Sequence, residues 1–520
     1  MTDSTDSEAR AGAPSAGKDR DRNADPNTRL RELVDRRLAQ PAARSDGVLA
    51  RRDAPDLHYE AIAEYLPVLA GTFDSRPEEP QAAVFTIAYL ADAAGEGGAP
   101  APVRPVCFAF NGGPGSSSIW LHLGALGPKR VPMNEDGTMP PPPYAVTDNP
   151  LSWLSFFDLV FVDPPHTGTS ITASEEARKK MLSVDGDVDA LAEVIRGWLA
   201  RHQRFGASIY LAGESYGTTR GAALADKLLD LGIALSGLVL VSCAMDLQAL
   251  DFVPGNDLPF ALFLPAFACA AQYHGKLAGA LGASPAAARQ AAEAFVVEDY
   301  LVALHRGATL GRDARRRVGA RLAELTGLPL ALVEQKNLRI RDATFFTHLL
   351  RDEGKLVGRL ESRVAGPLGA SRSHDWEFDP GLEALGPPYS MAAQAYFADA
   401  LGLRNSQRYE IISGEVHKKW NWNRGEQLGN GFATTSLDLA RALRRNPHLR
   451  VLVASGYYDL GTPYSATDYS LAQLDIPAEV ALRITHHYFD AGHMMYTRPG
   501  DLTKLHADLS AWLGRGVAAA

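Results

Sequence analysis

Apolar residues in this chain come in two rhythms. Short unbroken runs at 105–110, 159–162, 208–212 and 238–242 show no polar alternation and are too short for helices, which predicts strands covered on both faces. Between them, 187–203 and 218–231 carry apolar residues at helical spacing. Upstream, 58–68 and 83–90 read as strands, followed by an Ala-, Gly- and Pro-rich loop at 91–105. Alternating strands and helices predict an α/β fold with a mostly parallel, doubly wound sheet.

The rhythm changes from about Asp246 to Pro388, where amphipathic segments such as 285–296 and 312–325 make the chain largely helical. Strand patterns return at 449–455 and 480–488, and 501–513 reads as a closing helix. The expected organisation is a disordered tail over 1–44, with a short helix near 28–38, and one α/β core formed by 45–245 and 389–520. A helical cap insertion over 246–388 interrupts that core. The most apolar stretch, 258–271, is broken by Pro259 and Pro265 and falls short of the roughly 20 residues that span a bilayer. No internal repeat is visible.

Charge and composition narrow the function classes. The net charge of -9 over 520 residues argues against nucleic acid or an anionic membrane surface as the main partner. Three cysteines, Cys107, Cys243 and Cys269, form no disulfide framework and suit a reducing compartment. The first 44 residues contain no apolar run of export-signal type, so a cytoplasmic location is expected. A homodimer is compatible with this composition.

The chemistry concentrates in a few loops. Gly213-Glu214-Ser215-Tyr216-Gly217 is a G-x-S-x-G string, common by chance in ordinary turns. Here a predicted strand precedes it and a predicted helix follows. That is the context in which a sharp turn lifts a serine hydroxyl above the sheet of an α/β-hydrolase fold. A serine needs a base, and the base needs an orienting acid, in the chain order Ser, acid, His for this fold. The strand at 449–455 leads to Asp459, and the next leads to Gly492-His493. Ser215, Asp459 and His493 are therefore the candidate triad, with Asp490 as the competing acid. Asp459 is preferred because it follows its own strand. Tyr216 N–H and a donor from the glycine-rich loop Asn111-Gly112-Gly113-Pro114-Gly115 are the candidate oxyanion hole. His486 and His487 are adjacent in a strand and face opposite sides, so they do not share a metal. No metal site and no cofactor is expected.

These residues together resemble the serine carboxypeptidase family, peptidases that remove single C-terminal residues. The resemblance rests on Asn111-Gly-Gly-Pro-Gly-Ser-Ser-Ser118, Gly213-Glu-Ser-Tyr-Gly217, the Asp459 loop and Gly492-His493-Met494, and it spans about residues 50 to 515. It implies Ser215 as nucleophile, His493 as base and Asp459 as orienter. Gly113 and Tyr216 become the oxyanion donors, and Asn111, Gly112 and Glu214 the site for a peptide substrate's free carboxylate. The helical insertion becomes a cap, whose residues between Phe252 and Phe267, with the surroundings of Tyr389, are expected to wall the side-chain pocket.

A carboxylate can approach Glu214 closely only by sharing a proton, which favours acidic pH. Three positions depart from the family pattern. Ser116 stands where many secreted members carry Cys, Ala109 where many carry a carboxylate-binding Trp, and His166 where Gly is common. Ala109 keeps an esterase or acyltransferase reading open beside the peptidase one. A non-catalytic binding protein is disfavoured because no triad member is missing.

Overall fold

The computed structural model describes residues 25–51, 54–69, 79–92, 103–369, 376–403, 408–425 and 431–517. Nine strands in chain order build the central sheet. They are β1 (Ala43–Leu49), β2 (Leu57–Leu69), β3 (Pro80–Ala91), β4 (Val106–Phe110), β5 (Asp158–Val162), β6 (Ile209–Glu214), β7 (Leu235–Val241), β8 (Arg450–Gly456) and β9 (Ile484–Phe489). Their spatial order is β1-β2-β3-β5-β4-β6-β7-β8-β9, and a two-residue strand, Ile171–Thr172, is added beside β3. From β5 and β4 across to β9 the pairings are parallel, while β1, β2 and β3 pair antiparallel.

The unbroken apolar runs serve two cores at once. On β4, Cys107 and Ala109 join one apolar cluster while Val106, Phe108 and Phe110 join another. Successive side chains of a strand point to opposite faces, so a strand covered on both has no polar position. Helices α2 (Val184–Arg201) and α3 (Tyr216–Asp230) cover the second face through residues such as Leu191, Trp198 and Leu228. The first face is covered by α5 (Pro380–Asp399) and the closing helix α6 (Pro499–Val517), through Tyr389, Leu505 and Trp512.

The described residues of 246–379 contribute helices and a small ribbon, Lys355–Val357 with Ala365–Pro367, and no strand of the main sheet. Their apolar residues gather in a third cluster around α4 (Leu258–Tyr273), in which Phe267 stacks on Phe345 at 4.2 Å. Leu460, next to Asp459, joins that cluster from the core side. The helical insertion is thereby packed on the loop that carries the candidate acid. Among the described residues no helix is long and apolar enough to cross a membrane, and all three cysteines are free and buried.

Three expectations are corrected. Residues 1–24 of the expected tail lie outside the described residues, but the rest of it is built into the fold. Helix α1 (Pro26–Leu38) buries Val34 in the core, and β1 begins at Ala43 as an edge strand on β2. One buried apolar side chain and an edge strand of alternating exposure leave little hydrophobic signal. The boundary at 388 falls inside α5, which carries Pro387 and Pro388 in its interior and packs Leu385 and Tyr389 on the core. Finally, the last strand starts at Ile484, because Ala478–Ala481 form a short helix after Pro477. The loop expected at 91–105 lies mostly outside the described residues.

Candidate active site

Strand β6 delivers Ser215 to a backbone conformation that side chains rarely adopt. Its φ is 60° and its ψ is -130°, a strained geometry of the kind concentrated at functional turns. Two glycines make the turn possible. A Cβ on Gly213 would lie 2.2 Å from the Gly217 carbonyl oxygen, and one on Gly217 would lie 2.8 Å from the Phe110 carbonyl. The Ser215 N–H donates to the Val241 carbonyl at 3.0 Å, tying the turn to β7. Tyr216 opens α3, so its N–H has no carbonyl four residues back to bond.

The glycine-rich loop after β4 presses directly on this turn. A Cβ on Gly112 would meet the Tyr216 nitrogen at 2.3 Å, and Gly113, with φ 105°, is exposed beside it. The contact is secured from behind by a group that sequence reasoning missed. Arg220, 1% exposed, forks onto Asp187 of α2 at 2.7 and 3.2 Å and donates to the Asn111 carbonyl at 2.6 Å. Its guanidinium also lies over the rings of Phe110 and Tyr216, at 5.3 and 5.2 Å. In the sequence Arg220 is one more charged residue on a helix, and only its burial reveals it.

Asp459 and His493 meet across the ends of β8 and β9. His493 Nδ1 lies 2.7 Å from Asp459 Oδ2, with Asp459 fully buried and His493 nearly so. The rest of the carboxylate is saturated by the N–H groups of Gly461 and Thr462 at 2.8 and 3.0 Å and by the Thr462 hydroxyl at 2.7 Å. Burial pushes each partner toward its neutral form, but their attraction and hydrogen bond reverse this. His493 ends above its ordinary range and Asp459 below its own. Asp490 is exposed and only its carbonyl is engaged, by Arg363 and Arg498, so it is not the acid of this pair. No hydrogen bond joins Ser215 to His493 among the described residues; such contacts commonly tighten only with substrate in place.

Gly113, Ser215, Tyr216 and Thr462 line one cleft of about 390 Å3, shared with Leu250, Phe252, Phe263, Trp422, Arg341 and Arg359. The other expected substrate groups lie elsewhere. Asn111 and Glu214, 1% and 3% exposed, are joined at 3.0 Å beneath Gly112 and do not line the cleft. Asn111 Oδ1 accepts the Leu121 N–H at 3.0 Å, which orients its amide group toward Glu214. Burial raises the Glu214 carboxyl to about 7, against the opposing pull of His493, Tyr496 and Asn111. Among the described residues its Oε2 has no hydrogen-bond partner within normal geometry, with the Tyr496 hydroxyl buried nearby.

Tyr389 is also shut away, against Trp120 at 5.0 Å, so the pocket wall expected around it is instead made by Leu250, Phe252 and Phe263. Phe267 is buried in the cap cluster. His166 bonds Thr172 at 2.9 Å and does not line the cleft. His486 and His487 face separate carboxylates, Asp468 and Asp508. Among the described residues no group of three or more His, Cys, Asp or Glu could hold a metal ion.

Comparison with known proteins places this geometry. Residues 97–240 match the serine carboxypeptidase family model, a segment containing both the glycine-rich loop and the Ser215 turn. Over that segment the chain is similar to the serine carboxypeptidase family. Serine carboxypeptidase-like 13 of Arabidopsis thaliana is 28% identical over 114 residues, 22% of this chain and 25% of the relative. Serine carboxypeptidase-like 36 of the same plant is 30% identical over 118 residues, 22% of this chain and 23% of the relative. The chain thus spans about a quarter of the length of the curated relatives it matches. Among solved structures, Kex1(delta)p, a prohormone-processing carboxypeptidase from Saccharomyces cerevisiae, superposes with a TM-score of 0.53 at 15% identity. The match covers 88% of this chain and 92% of that one. That likeness is one of fold, and the fold is that of the α/β hydrolases. Asp459 and His493 lie outside the matched segment, so their pairing rests on the geometry above.

Proposed function

We propose that this chain is a serine carboxypeptidase that releases C-terminal residues from peptides through an acyl-enzyme formed on Ser215. The observation that carries the reading is the buried His493–Asp459 pair, 2.7 Å apart, held directly behind Thr462 in the wall of the cleft that Ser215 also lines.

In this reading neutral His493 takes the Ser215 proton as the hydroxyl attacks the scissile carbonyl. Asp459 holds the ring through Nδ1 and stabilises the imidazolium that forms. The carbonyl oxygen, now negative, is received by the N–H groups of Gly113 and Tyr216, at the positive end of α3. His493 then returns the proton to the departing amino group, and water repeats the sequence on the ester. Because His493 sits above its ordinary range, activity falls on the acid side as the base protonates.

Glu214 sets the other limb. Below about 7 it is neutral, so a peptide carboxylate arriving over Gly112 meets no like charge beneath it. Peptide affinity is therefore expected to weaken as pH rises through that range. A KM unchanged from acidic to alkaline pH contradicts this role.

One observation favours a second reading, an esterase or acyltransferase with the same triad. Asn111 and Glu214 are closed off from the cleft, and Ala109 is buried where a substrate-contacting Trp is common. The two readings part on the need for a free carboxylate. An N-blocked dipeptide is offered as free acid and as C-terminal amide, to wild type and Ser215→Ala, from acidic to neutral pH. Preference for the acid, lost in the variant, supports the carboxypeptidase. Equal turnover of both, or ester cleavage alone, contradicts it and leaves the second reading standing.

A further inference from the structure

The groups expected to receive a substrate carboxylate are buried, while Arg359, which forms no ion pair among the described residues, stands half-buried in the open cleft. Arg359 lies on the segment that joins the cap ribbon to the core, and that segment is fastened to both loops of the His493–Asp459 pair. The Arg359 carbonyl accepts the Leu460 N–H at 2.9 Å, and the Leu360 carbonyl accepts the His493 N–H at 2.6 Å. The N–H groups of Arg359 and Leu360 are both held by the Asp379 carboxylate, at 2.9 and 3.1 Å. Such a backbone fixes where the side chain starts.

The side chain ends beside the reaction centre. Its guanidinium carbon lies 3.3 Å from the position a Cβ on Gly461 would occupy. Gly461, Thr462 and Arg359 share the cleft wall with Ser215, and the Arg359 charge is felt at His493.

Several other arginines of the insertion are taken up by carboxylates, Arg289 by Glu293, Arg339 by Asp257 and Arg363 by Glu361; Arg341, the second arginine on the cleft, stands exposed. Among the described residues no carboxylate forms an ion pair with Arg359. The Asp379 oxygens serve the N–H groups of Arg359, Leu360 and Gly381, and the Asp459 carboxylate near the guanidinium is taken up by His493, Thr462 and the Gly461 N–H. A planar guanidinium fork, half-buried and unpaired, matches a carboxylate in geometry and charge.

We propose that Arg359 is the receptor for a substrate carboxylate in this cleft. The proposal rests on the reading of Ser215 as the nucleophile of the same cleft. The carboxylate comes from either of two sources: the peptide's free C-terminus, or an acidic side chain beside the scissile bond. In the first case the terminal group is read from the cap side rather than by the buried Asn111–Glu214 pair. Glu214 then contributes only by being neutral.

The test uses the full chain and three ligands as competitive inhibitors of neutral-ester hydrolysis. They are an N-blocked apolar dipeptide acid, its amide, and the amide with Asp as its first residue. For Arg359→Gln the inhibition constant of a carboxylate ligand is expected to rise about tenfold, while that of the plain amide stays put. Arg359→Lys, which keeps the charge but loses the fork, recovers part of the difference. A rise confined to the dipeptide acid assigns the C-terminus, and one confined to the Asp ligand assigns the side chain. Arg341→Gln removes the same charge from an exposed position on the cleft. Equal rises for both arginine variants reveal a diffuse field and overturn the proposal, as does no rise for Arg359→Gln. If wild type hydrolyses no ester, the Ser215 reading has failed. Calorimetric titration of the same ligands into wild type and Arg359→Gln then still decides the receptor.

Discussion

The two walls of the cleft are made by different means. The core wall, with Ser215, Tyr216 and Gly113, is positioned by backbone contacts so close that a single methyl group on Gly213 or Gly112 collides with main chain. The cap wall, with Arg359, Leu250, Phe252 and Phe263, presents side chains on helices and loops packed over their own apolar cluster. The core wall has the rigidity that positions reacting groups, and the cap wall has the variability that selects among substrates. If that division is right, changes to the core wall strike turnover or folding, and changes to the cap wall strike binding.

The largest effect is expected at the core. Ser215→Ala removes the proposed nucleophile and is expected to lower kcat for ester and peptide alike by at least about ten-thousand-fold, with the thermal midpoint unchanged because alanine keeps the Cβ that strains the turn. A residual rate within a hundred-fold of wild type, checked by steady-state kinetics, breaks the comparison at its root.

Next comes the clamp behind the wall. Arg220→Met leaves Asp187 buried without its partner and is expected to cost about 3–5 kcal/mol in denaturant unfolding. Arg220→Lys, with no fork to span Asp187 and the Asn111 carbonyl, recovers only part of this. A loss below about 1 kcal/mol for Arg220→Met, the range of an exposed pair, contradicts the clamp.

Glu214 tests the same wall through pH. Its folded value, about 7, lies above the ordinary carboxyl value of 4.5. Between the two the folded chain holds a proton that the unfolded chain has lost. Wild-type stability therefore falls as pH rises through that window, by roughly 3 kcal/mol at most. Glu214→Gln removes this contribution, so the variant gains relative to wild type from pH 5 to pH 8. Thermal melts that keep a constant difference between the two contradict it.

The smallest effect lies on the cap wall. Leu250→Ala is expected to raise KM severalfold for substrates with a large apolar side chain and to leave kcat nearly untouched. A fall in kcat as large as that in kcat/KM would make the cap part of the reacting machinery.

This difference between the walls also explains what the sequence could and could not tell. Motifs made of backbone constraints are legible: Gly213-Glu214-Ser215-Tyr216-Gly217 needs its glycines at fixed spacing, and the apolar runs of β4 to β7 have no polar position to blur them. Asp459 and His493 were found because each follows a strand. Arg220, Thr462 and Arg359 were not, since each acts through contacts distant in sequence that no local pattern records. The burial of Glu214, Asn111 and Tyr389 was equally invisible: a polar residue beside a nucleophile reads as exposed until its neighbours are in place. The helix near 28–38 was legible, but its packing on the core through Val34 and the strand β1 were lost to a polar composition with few buried residues.

The most direct test of the central claim is covalent labelling. The full chain is treated with a fluorophosphonate at neutral pH, and the adduct is located by peptide mass spectrometry. The account predicts a single stoichiometric label on Ser215, slowed by orders of magnitude in His493→Ala. No label, or a label elsewhere that survives Ser215→Ala, would contradict it.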